Sequence, residues 1–186
     1  MAGFLLLLSL AFAGTREEGE LDRLVDEMIQ FSERQAWPGV ERTYDKIMGI
    51  DGVDVPRDVH RSAAHAARAT GDMAAVVERL GRAQSVTRTD EDQAWLNSIS
   101  EAYSNVELRT VPPRGVELVV VEMPFEPDAR LALERAVTSL DEEGEFVGML
   151  PVGDYELAGK PFQVVAGYTA HVELSSKELK TEKKDK

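Results

Sequence analysis

The sequence predicts an α+β protein, with a helical first part followed by a small β-rich unit that carries one helix. Apolar residues recur three and four apart across residues 17–105, the spacing of a helix face. From Asn105 onward, short β-rich runs alternate with Gly and Pro turns. The two ends differ from both parts: residues 1–14 carry no side-chain charge, and the last stretch is rich in Lys and Glu. The expected division is a signal peptide over 1–13, helices over 14–105, a β unit over 106–175, and a disordered charged tail over 176–186.

The leader is read from composition. Residues 4–12 form an apolar run too short to span a bilayer, which takes about 20 apolar residues. The run has the length of a signal-peptide core, and Ala11-Phe12-Ala13 has the small-x-small pattern of a cleavage site. Thr15-Arg16-Glu17-Glu18 then turns the chain polar, although no Lys or Arg precedes the run. A buried N-terminal helix is the alternative. Cleavage near Gly14 implies a protein exported to the periplasm or cell surface, with no membrane span after cleavage. With no cysteine in the chain, a lipid anchor at cysteine is excluded, as are disulfides and thiol chemistry.

Five helices are expected next. Leu21, Leu24, Met28 and Phe31 mark the first. Trp37-Pro38 opens the second, proline being tolerated in a first turn, with Val40, Tyr44 and Ile47 facing inward. After a loop at 49–54, Pro56 opens a third that runs through the alanine-rich stretch 60–69. Gly71-Asp72 breaks it, and 73–83 forms a fourth. Thr89-Asp90 caps a fifth carrying Trp95, Ile99, Ala102 and Tyr103.

A shift of about 36 residues lays Trp37 on Met73, Val40 on Val76, Tyr44 on Leu80 and Ile47 on Ala83. It also lays Met28 on Ala64 and Phe31 on Ala67. The second copy, Ala69-Thr70-Gly71-Asp72-Met73 through Val76, Leu80 and Ala83, resembles the tetratricopeptide pattern. The first copy departs from it with Gln35-Ala36 in place of Gly-Asp, the period is long, and both copies lack the closing proline. The resemblance implies two degenerate repeats, a capping helix, and a concave groove for a peptide or partner helix. An ordinary helical bundle is the alternative.

In the last third, Val106-Glu107-Leu108-Arg109 reads as a short extended segment and Pro112-Pro113-Arg114-Gly115 as a breaker. Residues 116–123 are a β-rich run. Pro127-Asp128 caps a helix through Leu140, and strands are expected at 146–150, 155–157, 162–165 and 171–174. The stretch from Gly144-Glu145-Phe146 through Leu150-Pro151-Val152-Gly153-Asp154-Tyr155-Glu156-Leu157, with Phe162, Val164 and Val172, resembles carboxypeptidase regulatory-like (transthyretin-like) domains. That resemblance implies a small antiparallel β-sandwich, usually an appended module without catalytic residues. The helix over 128–140 departs from it.

Charge and chemistry narrow the function class. A net charge of −13 argues against nucleic acid as a partner, because phosphates are neutralised by clustered Lys and Arg. His60 and His65 lie about 140° apart on a helix and do not converge on one ion. Asp51, Asp54 and Asp58 read as helix-capping acids, and 141–145 as a solvated acidic turn. Trp37, Trp95, Tyr44 and Tyr103 read as core. No catalytic, metal or cofactor site is assigned. The expectation is a non-enzymatic exported adaptor or scaffold with protein partners in a cell-envelope complex, its candidate partner-binding surface formed by Arg68, Arg79 and Arg82. A carbohydrate-binding or hydrolytic accessory protein acting through Asp141 or Glu145, and a homo-oligomer of stacked repeats, are the alternatives.

Overall fold

The computed structural model describes residues 3–111, 117–121 and 126–175, with side chains from Arg16 onward. The expected breaker at 112–115, residues 116, 122 and 123 of the expected β-rich run, the tail at 176–186 and all of the leader's side chains lie outside the described residues. Five helices come first: α1 (Gly3–Glu33), α2 (Trp37–Met48), α3 (Arg57–Ala69), α4 (Met73–Val86) and α5 (Asp90–Ala102). Then follow β1 (Tyr103–Val111), β2 (Leu118–Val120), α6 (Pro127–Glu142), β3 (Glu145–Pro151), β4 (Gly153–Leu157), β5 (Lys160–Val164) and β6 (Ala170–Ser175). The fold is mixed α+β, with most helices N-terminal. Among the described residues no helix is long and apolar enough to cross a membrane.

The α1–α2 and α3–α4 turns are built alike. In the first, Gln35 N–H donates to Ser32 O and Ala36 N–H to Phe31 O; in the second, Gly71 N–H donates to Arg68 O and Asp72 N–H to Ala67 O. Gln35 and Gly71, at matching places in the two turns, both have positive φ, 53° and 76°. The side chains trade volume at the same register. Gly39 lies against the Phe31 ring, whereas Ala67 and Ala75 stand at the matching places of the second unit. Asp72 caps α4 by accepting from Ala75 N–H at 3.0 Å. The cap expected from the acidic loop before α3 is not made: Pro56 is the N-cap residue and no side chain bonds there.

Tyr103, expected in the fifth helix, begins β1 instead, so α5 passes into the strand without a loop. The reason lies in the sequence 103–111, where Val106, Leu108 and Thr110 are buried and Asn105, Glu107 and Arg109 exposed, a period of two. At the other helix, Glu126 rather than Asp128 holds the N-cap position, with Pro127 as first helical residue.

The strands form two three-stranded sheets, ordered β3-β1-β6 and β2-β4-β5. The expected antiparallel arrangement needs one correction. β1 pairs antiparallel with β3 but parallel with β6, Leu108 facing Val172. Both strands present alternate apolar residues to the same buried side in that register. Val106, Leu108, Phe146, Leu150, Val172 and Leu174 of the first sheet share a core with Tyr155, Leu157 and Val164 of the second and with Leu133, Ala136 and Leu140 of α6.

Between β3 and β4 the chain changes sheets through Val152 alone. Tyr155 holds this corner, its buried hydroxyl donating to Pro151 O at 2.7 Å. Burial pushes its phenol pKa far up, so it remains a donor. Tyr155→Phe would strand a buried carbonyl and should cost about 1.5 kcal/mol. Thermal unfolding should register this as a fall in Tm of about 5 °C.

The helical and β parts are joined through α6, which lies across the α3–α4 turn. Asp128 and Arg135 sit two helical turns apart on one face of α6. Asp128 accepts from Arg68 Nε at 2.6 Å, and Arg135 pairs with Asp72 at 2.7 Å. Between these pairs the α6 backbone at Leu131–Ala132 passes so close to Gly71 that a Cβ there would lie 2.4 Å from it. Ala64 and Ala67 face Ala129 and Ala132 in the same core cluster. Small side chains therefore set the separation, and the alanine-rich stretch of α3 is the face on which α6 lies.

Candidate functional site

The three arginines expected to form one binding surface occupy three different environments. Arg68 is half-exposed, bound to Asp128 and set 5.8 Å from the centre of the Trp95 ring. Arg82 is also half-exposed, pairs with Glu78 one helical turn away, and donates from Nη1 to the Met48 thioether Sδ at 3.9 Å. Arg79 is not on the surface. It is 8% exposed, donates to both Glu41 oxygens at 2.7 and 2.5 Å and to Ala63 O at 2.7 Å, and lies 4.8 Å from the Tyr44 ring centre. Burial alone would lower its pKa, but the Glu41 hydrogen bonds and charge carry it up, so the guanidinium stays charged.

Arg79 belongs to a polar cluster that ties α2, α3 and α4 together. Tyr44 of α2 and His60 of α3 are joined by a 2.9 Å bond between the hydroxyl and Nδ1. His60 is 5% exposed. Burial, and secondarily the charge of Arg82, lowers its pKa. Burial likewise raises that of Tyr44.

A second polar assembly runs along α3, where Arg57, Arg61, His65 and Arg68 follow one another at helical spacing. Asp92, wholly buried, accepts from Arg57 Nε and Nη2 at 3.0 and 2.7 Å and faces Arg61 Nε at 3.4 Å. Arg61 also pairs with Glu91. Thr89 caps α5 and accepts from Arg57 as well. His65 packs against Trp95 at 4.7 Å between ring centres, and its pKa is lowered, chiefly by burial. The ridge is thus occupied by α5 and α6 rather than open. Sequence reading missed it, though the three- and four-residue spacing of the basic residues was its available signal.

His60 and His65 point to different neighbours, one to Tyr44 and one to Trp95. His171 lies on the outer face of the first sheet and pairs with Glu107 at 3.0 Å. On that face Arg109 holds Glu145 at 2.8 Å, so Glu145 is engaged, while Asp141 sits exposed near the end of α6. Among the described residues no three His, Asp or Glu side chains form a group able to hold a metal ion. Tyr44 and Tyr103 are buried, and Trp37 and Trp95 are half-buried against their cores. A cleft of about 830 Å³ lies between β2 and α6, lined by Leu118, Val120, Leu133 and Val137 with Glu117 and Glu134 among its polar residues.

The chain matches no family model, no curated protein and no solved structure. The geometry described above therefore carries the functional reading.

Proposed function

We propose that this protein is an exported, non-enzymatic adaptor or scaffold that binds protein partners in a cell-envelope assembly. The observation that carries the reading is the pair of helix–turn–helix units with matching turn hydrogen bonds, set side by side and joined to the β unit by α6. Such units bury their apolar faces on one another and leave extended helix faces for recognition, as in the tetratricopeptide proteins they resemble. The β unit, read as a transthyretin-like sandwich, is then an appended module on the same body. The leader directs export and is removed near Gly14.

Arg82 is the best probe of the helical surface, because it is half-exposed and its bond to Glu78 stays within one helix. Affinity purification of the full chain from envelope extracts, under mild crosslinking, should capture a defined partner. Arg82→Glu should reduce that capture about tenfold, the effect of losing about 1.4 kcal/mol at an interface, while the like-charge pair with Glu78 lowers stability by only about 0.5 kcal/mol. Undiminished capture by Arg82→Glu would remove this surface from the reading, and an absence of any partner would overturn the adaptor role.

A further inference from the structure

We propose that His60 is a proton-operated latch between the two helix–turn–helix units: the neutral ring holds them together, and the imidazolium loosens them. The latch stands at the α2–α3 contact, where Tyr44 reaches across from one unit and His60 from the other. Beneath them, Leu24 and Met28 of α1, Val40 and Ile47 of α2, and Val59 and Ala63 of α3 form a continuous apolar core. The only side-chain bond described across this contact at His60 is therefore a buried one, in surroundings that favour uncharged groups.

The charges around the ring make protonation unfavourable. Arg82 of α4 acts on the ring directly, and Glu41 of α2 with Glu78, Arg79 and Arg82 of α4 surround its partner Tyr44. Glu41 is engaged at both oxygens by Arg79, and Glu78 is held by Arg82. An imidazolium at position 60 would thus face Arg82, whose carboxylate partner Glu78 is already committed. The Tyr44 hydroxyl keeps its proton, and with neutral His60 it can donate to Nδ1. A protonated ring must itself donate from Nδ1, which reverses that bond.

The direction of the pH effect follows from burial. His60 takes up a proton less readily in the folded chain than at the ordinary value near 6.5. Stability is complete above that value and is lost as pH falls through it toward the lower folded value, because the unfolded chain binds the proton first.

The test uses the full chain at pH 7.5 and pH 5.5. Between these conditions, wild type should lose about 4 °C more in Tm than His60→Gln. Amide exchange, corrected for its intrinsic pH dependence, should accelerate about fivefold in α2 and α3 of wild type relative to α6. An equal Tm loss in His60→Gln would overturn the latch, as would amide exchange that accelerates no more in α2 and α3 than in α6. Should His60→Gln fail to fold, NMR titration of wild type decides: a His60 ring titrating at or above the free-histidine value overturns the proposal, and one titrating below it with faster α2–α3 exchange supports it.

Discussion

Gly71→Ala should destabilise the protein by about 4 kcal/mol, more than its size suggests. Two costs add at this position. Gly71 has a φ of 76°, which costs an L-residue with a Cβ about 1–2 kcal/mol. The new methyl would also stand 2.4 Å from the α6 backbone at Leu131, and relieving that overlap costs about 1–3 kcal/mol. Gly52 supplies the control, since it has the same φ of 76° and nothing within 4 Å of its Cβ position. Gly52→Ala should therefore show the backbone cost alone. The difference between the two, measured by urea unfolding, reports the docking of α6 on the helical units. Equal losses would mean that α6 does not bear on the turn.

Arg79→Ala should cost about 3 kcal/mol, whereas Arg82→Ala should stay within about 0.5 kcal/mol of wild type. Removing the Arg79 side chain leaves Glu41 without its bidentate partner and opens space above Tyr44. The paired change Arg79→Met with Glu41→Met should recover much of the loss, because neither charge then remains unpaired. A double-mutant cycle in denaturant should give a coupling of about 2 kcal/mol. A loss under 0.5 kcal/mol for Arg79→Ala would place that residue with the surface arginines, where its residue type alone had put it.

These two residues mark how far sequence reasoning reached. Gly71-Asp72 was legible as a turn, because glycine supplies the positive φ and aspartate the cap. That the same glycine admits the backbone of a helix some 60 residues later was not legible. No local pattern reports an approach that distant. The arginines were legible as charges but not as neighbours: Arg79 and Arg82 differ by three positions on one helix, yet one meets Glu41 inside and the other Glu78 outside. The Arg57–Arg61–His65–Arg68 ridge did have a local signal in its spacing. Its partner Asp92 did not, because an acid in the first turn of a helix is ordinarily solvated.

The β unit divides the same way. The alternation of Phe146, Tyr155 and Leu157 reads as a core-facing set, and all three are buried. The parallel pairing of β1 with β6 was not expected, nor was the start of β1 at Tyr103. By itself the sequence determined the α+β character, the order of helices before strands, the apolar face of each element and the places of the main turns. Each of these follows from backbone periods of 3.6 or 2 residues acting within a short window. The tertiary structure alone decided which strands pair, which charges are buried and how α6 joins the two parts. Those choices depend on which distant surfaces fill one another's volume, and that is a property of the whole packed chain rather than of any segment.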